Sequence, residues 1–225
     1  MDNRPNGWND KELCYPYTNE CLEAIIGCLC PNESDNVLAI GASGDQAFAL
    51  AESGANVTVI DKDPAQLEYI QRRMGFLRED DYSGFFDFVP RESVYVICRK
   101  VSMDYFDRER FEMVRENVNN IKICETPVDI TKNPSLFAGM NKIYLSNVSP
   151  ISEDATEFFE GLSEFTEFPC TVYFSSQSCH LIEPAFFETN FDETIGARAF
   201  EMENKTLRWM PIVFSRHSDD VVVPN

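Results

Sequence analysis

The chain has 225 residues, of which 44% are hydrophobic and 12% aromatic, and its formal net charge is −19. This length and apolar content suit one globular domain, residues 1–225, and exclude a disordered polypeptide. The chain has 38 acidic and only 19 basic side chains, so it repels phosphate backbones and anionic lipid surfaces. We therefore expect no nucleic-acid partner.

Cellular location and metal binding follow from the same composition. No stretch approaches the ~20 consecutive apolar residues of a membrane-spanning helix, so we expect no membrane insertion. The opening MDNRPNGWND lacks the apolar stretch of a secretory signal, which predicts a cytoplasmic location with reduced thiols. Cys21, Cys28 and Cys30 form a local cluster without a fourth ligand at zinc-finger spacing. We predict no metal site and interpret Cys21 and Cys28, which fall on or near the apolar face of the predicted helix, as small core residues.

The first third of the chain alternates between helical and strand patterns. Residues 17–29 place apolar side chains on one helical face, within an N-terminal helical cover segment formed by residues 1–35. Residues 37–41 read as a short buried strand. A helix follows at 45–53, and Gly54 lies where a C-terminal cap belongs.

A second strand–helix unit begins with a strand at 56–61. Asp63 is a good N-cap, Pro64 suits the first helical turn, and Gln66 has capping-box spacing. The helix that follows has an apolar face made of Leu67, Ile70 and Met74. Two successive units with nearly all-apolar strands indicate parallel strands that are covered by helices on both faces.

The second half of the chain continues this alternation. Residues 94–98 fit either a strand or a buried turn of helix. The further predicted elements are helices at 104–119 and near 153–164, and strands at 121–124, 141–147 and 170–175. Apolar and polar residues alternate in residues 194–203 and 206–215, which predicts a C-terminal antiparallel hairpin. The expected fold is α/β, a doubly wound Rossmann-like mixed sheet of about seven strands.

The loop after the first strand favours a nucleoside that carries a positive charge. Gly41 and Gly44 allow backbone to approach a ligand, but a dinucleotide fingerprint has a denser glycine cluster. Asp45 adds a negative charge at the next helix, where it would repel phosphate. Asp61 ends the second strand, from which a carboxylate can accept both ribose hydroxyls. These features point to S-adenosylmethionine, although each residue alone also fits a simple turn.

The chain resembles the class I S-adenosylmethionine-dependent methyltransferase fold. Residues 41–48 (GASGDQAF) and 61–67 (DKDPAQL) further resemble motifs of 3-amino-3-carboxypropyl transferases of the betaine-lipid synthase type, and a serine–asparagine pair of that family is matched at 146–147. With the loop pattern, the resemblance implies S-adenosylmethionine as cosubstrate, and Asp129 is expected to reach the adenine amino group. The implied cofactor-binding residues are Gly41, Ala42, Ser43, Gly44, Asp45, Asp61, Lys62, Asp129, Ile130, Ser146 and Asn147.

The reacting carbon of the cofactor is a separate question. Methyltransferases of this fold commonly hold the methionine amino group with an acid two residues before the first glycine, and Ala39 stands there instead. A displaced methionine arm favours reaction at its γ-carbon, with release of methylthioadenosine. The product is then either a 3-amino-3-carboxypropyl group on a small amine or azetidine-2-carboxylate from ring closure. The other interpretation of Ala39 is an ordinary buried strand residue.

Two alternatives stay open beside reaction at the γ-carbon. One is methyl transfer to a small molecule, and the other is a cofactor-binding protein without catalysis. For an enzyme, Asn147 is the predicted catalytic residue that aligns the nucleophile, and Tyr17 is a second candidate that would pack over the sulfonium. The expected partner is a small-molecule substrate.

Clustered phenylalanines in the second half have three interpretations. They fit a core, a hydrophobic acceptor pocket or the face of a homodimer, and the core interpretation is favoured. These residues are Phe158, Phe159, Phe165, Phe168, Phe186 and Phe187.

Overall fold

The computed structural model describes residues 15–87, 96–146, 158, 162, 164–165, 169–176, 197–199, 201–202 and 210–216. Within these ranges, one sheet contains β1 (Asn36–Ile40), β2 (Asn56–Ile60), β3 (Ile121–Ile123), β4 (Lys142–Ser146), β5 (Cys170–Ser176) and β6 (Met210–Arg216). The strand order is β3-β2-β1-β4-β5-β6. Strands β1 to β5 are parallel, and β6 runs antiparallel to β5. The expected doubly wound order is therefore present.

Helices precede and connect these strands. They are α1 (Leu22–Leu29), α2 (Asp45–Ala51), α3 (Pro64–Arg78), α4 (Tyr82–Asp87), α5 (Val96–Tyr105) and α6 (Arg108–Asn117). The predicted start of α3 is confirmed, because the Asp63 side chain accepts a hydrogen bond from Ala65 N at 2.9 Å and Pro64 is the first helical residue. Among the described residues, no helix combines the length and apolar character that crossing a bilayer requires.

The core lies on both faces of the sheet, as strand alternation requires. Val37 and Ala39 of β1 pack on the face that α1 and α2 cover, whereas Leu38 belongs to the second cluster on the opposite face. Ala39 is fully buried, so it is a core strand residue. Phe158 is also buried in the second cluster, as the core interpretation of the phenylalanines predicts.

The predicted C-terminal hairpin is wrong in the described residues. Residues 197–199 and 201–202 are helical, and the antiparallel neighbour of β6 is β5, with Cys170 opposite Arg216. Ala, Arg, Glu and Met are good helix formers, and their propensity outweighs the alternating pattern. Six strands, not seven, lie within the described ranges.

The predicted helix at 104–119 is two helices. Helix α5 ends at Tyr105, and α6 starts after Asp107, whose side chain accepts a hydrogen bond from Arg110 N at 2.9 Å. This cap begins a new helix inside a pattern that reads as continuous. Residues 96–98 belong to α5, which selects the helical interpretation of that stretch, while residues 94–95 lie outside the described ranges.

The N-terminal cysteine cluster divides between core and surface. Cys28 of α1 is buried in the core, whereas Cys30 is exposed and its thiol donates to Gly27 O at 3.1 Å. The core interpretation is therefore confirmed for Cys28, while Cys21 is only partly buried. Within the described part of the chain, no group of three or more His, Cys, Asp or Glu side chains is arranged to hold a metal ion.

Candidate functional site

A cleft opens at the carboxyl ends of the central parallel strands. From β1 the chain first adds strands on one side of the sheet, β2 and β3, and then on the other side, beginning with β4. The point between β1 and β4 is therefore the topological switch point, where open α/β sheets bind ligands. The residues that line the cleft are Tyr15, Ile40, Ala42, Asp61, Lys62, Val128, Asp129, Ile130, Thr131 and Ser146. Of the predicted site residues, this set includes Ala42, Asp61, Lys62, Asp129, Ile130 and Ser146. The predicted catalytic Asn147 lies outside the described residues.

Gly41 and Gly44 shape the loop above β1. Gly44 N donates to Gly41 O at 2.7 Å, which closes a tight turn, and Gly44 adopts φ +84°, a region that favours glycine. A Cβ on Gly41 would lie 2.9 Å from Ile70 Cδ1 and 3.2 Å from Asp61 Oδ2. The glycines therefore let the loop approach α3 and Asp61, and only Ala42 of this turn lines the cleft.

Asp61 occupies the predicted position at the end of β2. Its Oδ2 accepts a hydrogen bond from Ala42 N and its Oδ1 accepts one from Asp63 N, each at 2.9 Å. Burial raises the pKa of this carboxyl, although the two backbone N–H groups oppose the shift. Because each carboxylate oxygen can accept a second hydrogen bond, Asp61 can still receive a pair of hydroxyl groups from a ligand.

Asp129 reaches the cleft through a loop that continues beyond β3. Val128 N donates to Asp61 O at 2.8 Å, which holds this loop beside the end of β2. Asp129 Oδ1 accepts hydrogen bonds from Thr131 Oγ1 at 2.7 Å and Thr131 N at 3.1 Å. These bonds lower the pKa of the Asp129 carboxyl, which keeps it ionised near neutral pH.

Asp45 does not have the predicted free negative charge. Its carboxylate is fully buried, and Arg73 Nη1 lies 2.7 Å from Oδ1. Ser102 Oγ also donates to Oδ1 at 3.0 Å, while Thr18 N donates to Oδ2 at 2.8 Å. The prediction that Asp45 repels anions and faces the cofactor is wrong, because Arg73 neutralises it inside the core. Ser43 is likewise buried, and its hydroxyl donates a hydrogen bond to the Asp45 carboxylate.

Tyr15, rather than the predicted Tyr17, borders the cleft. The Tyr17 side chain is 4% exposed and its hydroxyl donates to Phe86 O at the end of α4. Burial raises the pKa of that hydroxyl. Tyr15 is held by Gln66, whose Nε2 donates to Tyr15 O at 3.0 Å and also to Ala42 O. Gln66 therefore joins the N-terminal segment, residues 15–20, to the loop instead of completing a capping box.

Glu20 is a site residue that the sequence did not reveal. It is 1% exposed, and its carboxylate accepts hydrogen bonds from Gln46 Nε2 at 2.7 Å, Ser146 Oγ at 2.8 Å and the Tyr144 hydroxyl. Ser146 lines the cleft, so Glu20 lies directly behind its wall. No local motif marks Glu20, because these partners are 26 to 126 residues away in the chain.

No protein-family model matches the chain, and no curated protein matches its sequence. Among solved structures, the chain is similar to coclaurine N-methyltransferase bound to N-methylheliamine and SAH, at 13% identity over 68% of this chain and 34% of that chain, with a TM-score of 0.45. It is similar to precorrin-6y C5,15-methyltransferase from Geobacter metallireducens at 6% identity, covering 88% and 87% of the two chains, with a TM-score of 0.49.

A synthase is also among the similar structures. The spermidine synthase from Thermotoga maritima is 10% identical, over 91% of this chain and 62% of that chain, with a TM-score of 0.47. The chain thus spans about a third of the methyltransferase that binds N-methylheliamine and less than two thirds of the synthase. The resemblance to the betaine-lipid synthase type stays a prediction.

Proposed function

We propose that the protein binds S-adenosylmethionine in this cleft and transfers a group from the γ-carbon of its methionine arm. The observation that carries the proposal is Asp61, whose carboxylate ends β2 inside a cleft at the switch point of the sheet. In this proposal Asp61 accepts the ribose hydroxyls, and Asp129 accepts a hydrogen bond from the adenine amino group. The apolar wall of Ile40 and Ile130 packs against the flat base.

Two features of the core favour the γ-carbon over the methyl carbon. Ala39 is buried and uncharged, so it cannot hold the methionine ammonium. Asp45 is paired with Arg73 inside the core, so it is not available either. A methionine arm that is anchored elsewhere can turn its γ-carbon toward a nucleophile, since alignment decides which carbon of a sulfonium reacts.

The reaction at the γ-carbon needs only the cofactor and a neutral amine, which is either an external amine or the cofactor's own. The lone pair of a neutral amine attacks the γ-carbon, the bond between that carbon and sulfur breaks, and the electron pair stays on sulfur in methylthioadenosine. The proton lost by the amine passes to water. An external amine gives a 3-amino-3-carboxypropyl product, whereas the cofactor's own amine closes the four-membered ring of azetidine-2-carboxylate. Asn147 is proposed to align the attacking amine.

Methyl transfer is the second candidate function. In both reactions Asp61 and Asp129, which line the cleft, are proposed to hold the nucleoside end of the ligand. Methyl transfer would leave S-adenosylhomocysteine instead of methylthioadenosine. A protein that binds the cofactor without turnover would release neither product. The nucleoside product therefore separates the three candidates.

The first experiment incubates the purified protein with S-adenosylmethionine alone and identifies products by liquid chromatography and mass spectrometry. We expect methylthioadenosine above the uncatalysed background, with azetidine-2-carboxylate if the ring closes. If the cofactor stays intact, the incubation is repeated with a panel of small amines. Formation of S-adenosylhomocysteine with any acceptor would replace the γ-carbon proposal by methyl transfer. An Asn147→Ala variant is expected to slow turnover more than it weakens binding.

A further inference from the structure

Glu20 is a buried carboxylate whose described partners are all neutral. Its three hydrogen bonds come from Gln46, Tyr144 and Ser146, and no described Lys, Arg or His side chain forms an ion pair with it. A charge removed from water in this way is costly unless it is compensated. This differs from Asp45, the other buried carboxylate near the start of α2, which has Arg73 as its counter-ion.

Two buried polar atoms, one on Gln46 and one on Ser175, lack any hydrogen-bond partner within the described ranges. Gln46 is 2% exposed, and its Nε2 donates to Glu20 while its Oε1 has no partner. Ser175 is fully buried and its hydroxyl also has none. Unpartnered buried polar atoms are rare in folded proteins and mark a place where a further group belongs.

Sheet register places Ser175 next to Ser146, which donates to the same carboxylate. Ser146 of β4 pairs with Ser175 of β5, and adjacent strands lie roughly 4.8 Å apart. Paired residues of parallel strands point to the same face of the sheet. Ser146 donates to Glu20 Oε1 at 2.8 Å and lines the cleft, so Glu20 and the neighbouring Ser175 lie behind the cleft wall at Ser146.

We propose that Glu20, Gln46 Oε1 and Ser175 receive the α-ammonium group of the methionine arm. An ammonium brings one positive charge and three N–H donors, which match one uncompensated carboxylate and two unpartnered acceptor atoms. This inference rests on the proposed function and specifies where the arm is anchored when an external amine is the nucleophile, because an ammonium held by three acceptors has no lone pair with which to close the azetidine ring. It makes Glu20, rather than Ala39 or Asp45, the acidic group that holds the arm.

The test measures the affinity of three probe nucleosides by isothermal titration calorimetry. S-adenosylmethionine has both the ammonium and the sulfonium, S-adenosylhomocysteine has the ammonium alone, and methylthioadenosine has neither. In a Glu20→Gln variant we expect the affinities for the first two to fall by about tenfold to a hundredfold. The affinity for methylthioadenosine is expected to stay unchanged.

Glu52→Gln is the matched control for this variant. Glu52 is also a largely buried carboxylate, but it lies at the opposite end of α2 from Gln46 and pairs with Arg110. We expect this variant to bind all three probes as the wild type does. Thermal melting of each variant without ligand checks that the fold is intact.

Other results would overturn the inference. An equal loss for all three probes in Glu20→Gln would assign Glu20 a structural role, and a loss confined to S-adenosylmethionine would place the sulfonium there. If the wild type binds none of the probes, the proposed function itself fails, and the anchor fails with it. Should Glu20→Gln not fold, Ser175→Ala is the second variant. Removing its unpartnered hydroxyl is expected to leave stability unchanged and to weaken S-adenosylhomocysteine about threefold to tenfold, without affecting methylthioadenosine.

Discussion

Arg73 and Asp45 form an ion pair in which Nη1 lies 2.7 Å from Oδ1 and both side chains are completely buried. The guanidinium also stacks 4.0 Å from the ring centroid of Phe85 and 4.9 Å from that of Phe48. Burial alone would lower the pKa of Arg73, but Asp45 together with Tyr69 and Tyr17 outweighs that effect, and the pKa is raised. The pair joins α3 to the start of α2, and Arg73 supports the Gly41–Gly44 loop through a hydrogen bond to Ser43 O.

Removing one member of this pair is expected to be strongly destabilising. Arg73→Met leaves the Asp45 carboxylate buried without its counter-ion, and we expect a loss of about 3–5 kcal/mol in the free energy of unfolding. Urea denaturation measures the loss. The matched control is Arg72→Met, because Arg72 pairs with the exposed Glu68 and should change stability by less than about 1 kcal/mol. Equal losses in the two variants would contradict the role assigned to the pair.

The ribose contact is tested by Asp61→Ala. Removing the carboxylate is expected to weaken nucleoside binding by about 1.5–3 kcal/mol, because a charged hydrogen-bond acceptor is lost. Titration calorimetry with S-adenosylmethionine measures the change. Asp63→Ala is the control, since Asp63 caps α3 outside the lining of the cleft and should lower stability by about 1 kcal/mol without lowering affinity. An unchanged affinity in Asp61→Ala would remove the ribose assignment.

Two glycines in neighbouring helices should respond to alanine with opposite signs. A Cβ on Gly75 of α3 meets nothing within 4 Å, so Gly75→Ala is expected to stabilise the protein by about 0.5–1 kcal/mol through better helix propensity. A Cβ on Gly84 of α4 would lie 2.5 Å from Phe76 Cδ1, so Gly84→Ala is expected to cost about 1–3 kcal/mol. Thermal denaturation of both variants gives the signs, and a destabilised Gly75→Ala would show that the packing of α3 is misassigned.

Glu52 should make stability depend on pH. Burial raises the pKa of its carboxyl from 4.5 to about 7, although Arg110 and Tyr105 oppose the shift. At a pH between 4.5 and about 7, the Glu52 carboxyl is ionised in the unfolded state but protonated in the folded state. Stability contributed by this group is therefore greatest at low pH and falls as the pH rises toward about 7.

The Glu52→Gln variant tests this dependence, because an amide does not titrate in either state. We expect the variant to gain stability relative to the wild type as the pH rises through this window, and then to keep a constant difference. Urea midpoints from about pH 5 to about pH 8 measure the difference. A difference that is the same at every pH would show that Glu52 is ionised throughout.

The predictions from sequence were correct where a structural feature depends on interactions between residues that are close in the chain. The cap at Asp63, the buried strands β1 and β2, and the position of Asp61 all depend on residues that are close in the chain. The prediction of a hairpin at 194–215 was wrong because, over a short stretch, helix propensity can outweigh an alternation of apolar and polar residues. The break between α5 and α6 was missed because one cap residue, Asp107, interrupts an otherwise continuous apolar pattern.

The charges of the site could not be assigned from sequence because their partners are distant. Asp45 was predicted to be free, yet Arg73 is 28 residues away and Ser102 is 57 residues away. The same reason hid Glu20, whose hydrogen bonds form only when the N-terminal segment, α2 and β4 pack together. In both cases the acidic residue could be read from the sequence, but its partners could not. Long-range packing therefore decides which of the two buried acids has a basic partner among the described residues.

The bonds from Tyr144 and Ser146 to Glu20 connect residues that are 124 and 126 positions apart. During synthesis on the ribosome, the N-terminal segment emerges long before β4, and closing so long a stretch of chain has a high entropic cost. The end of the cleft behind Ser146 therefore assembles late. Until β4 is in place, a nascent chain that already includes residues 41–44 and Asp61 cannot bring Glu20 together with Tyr144 and Ser146.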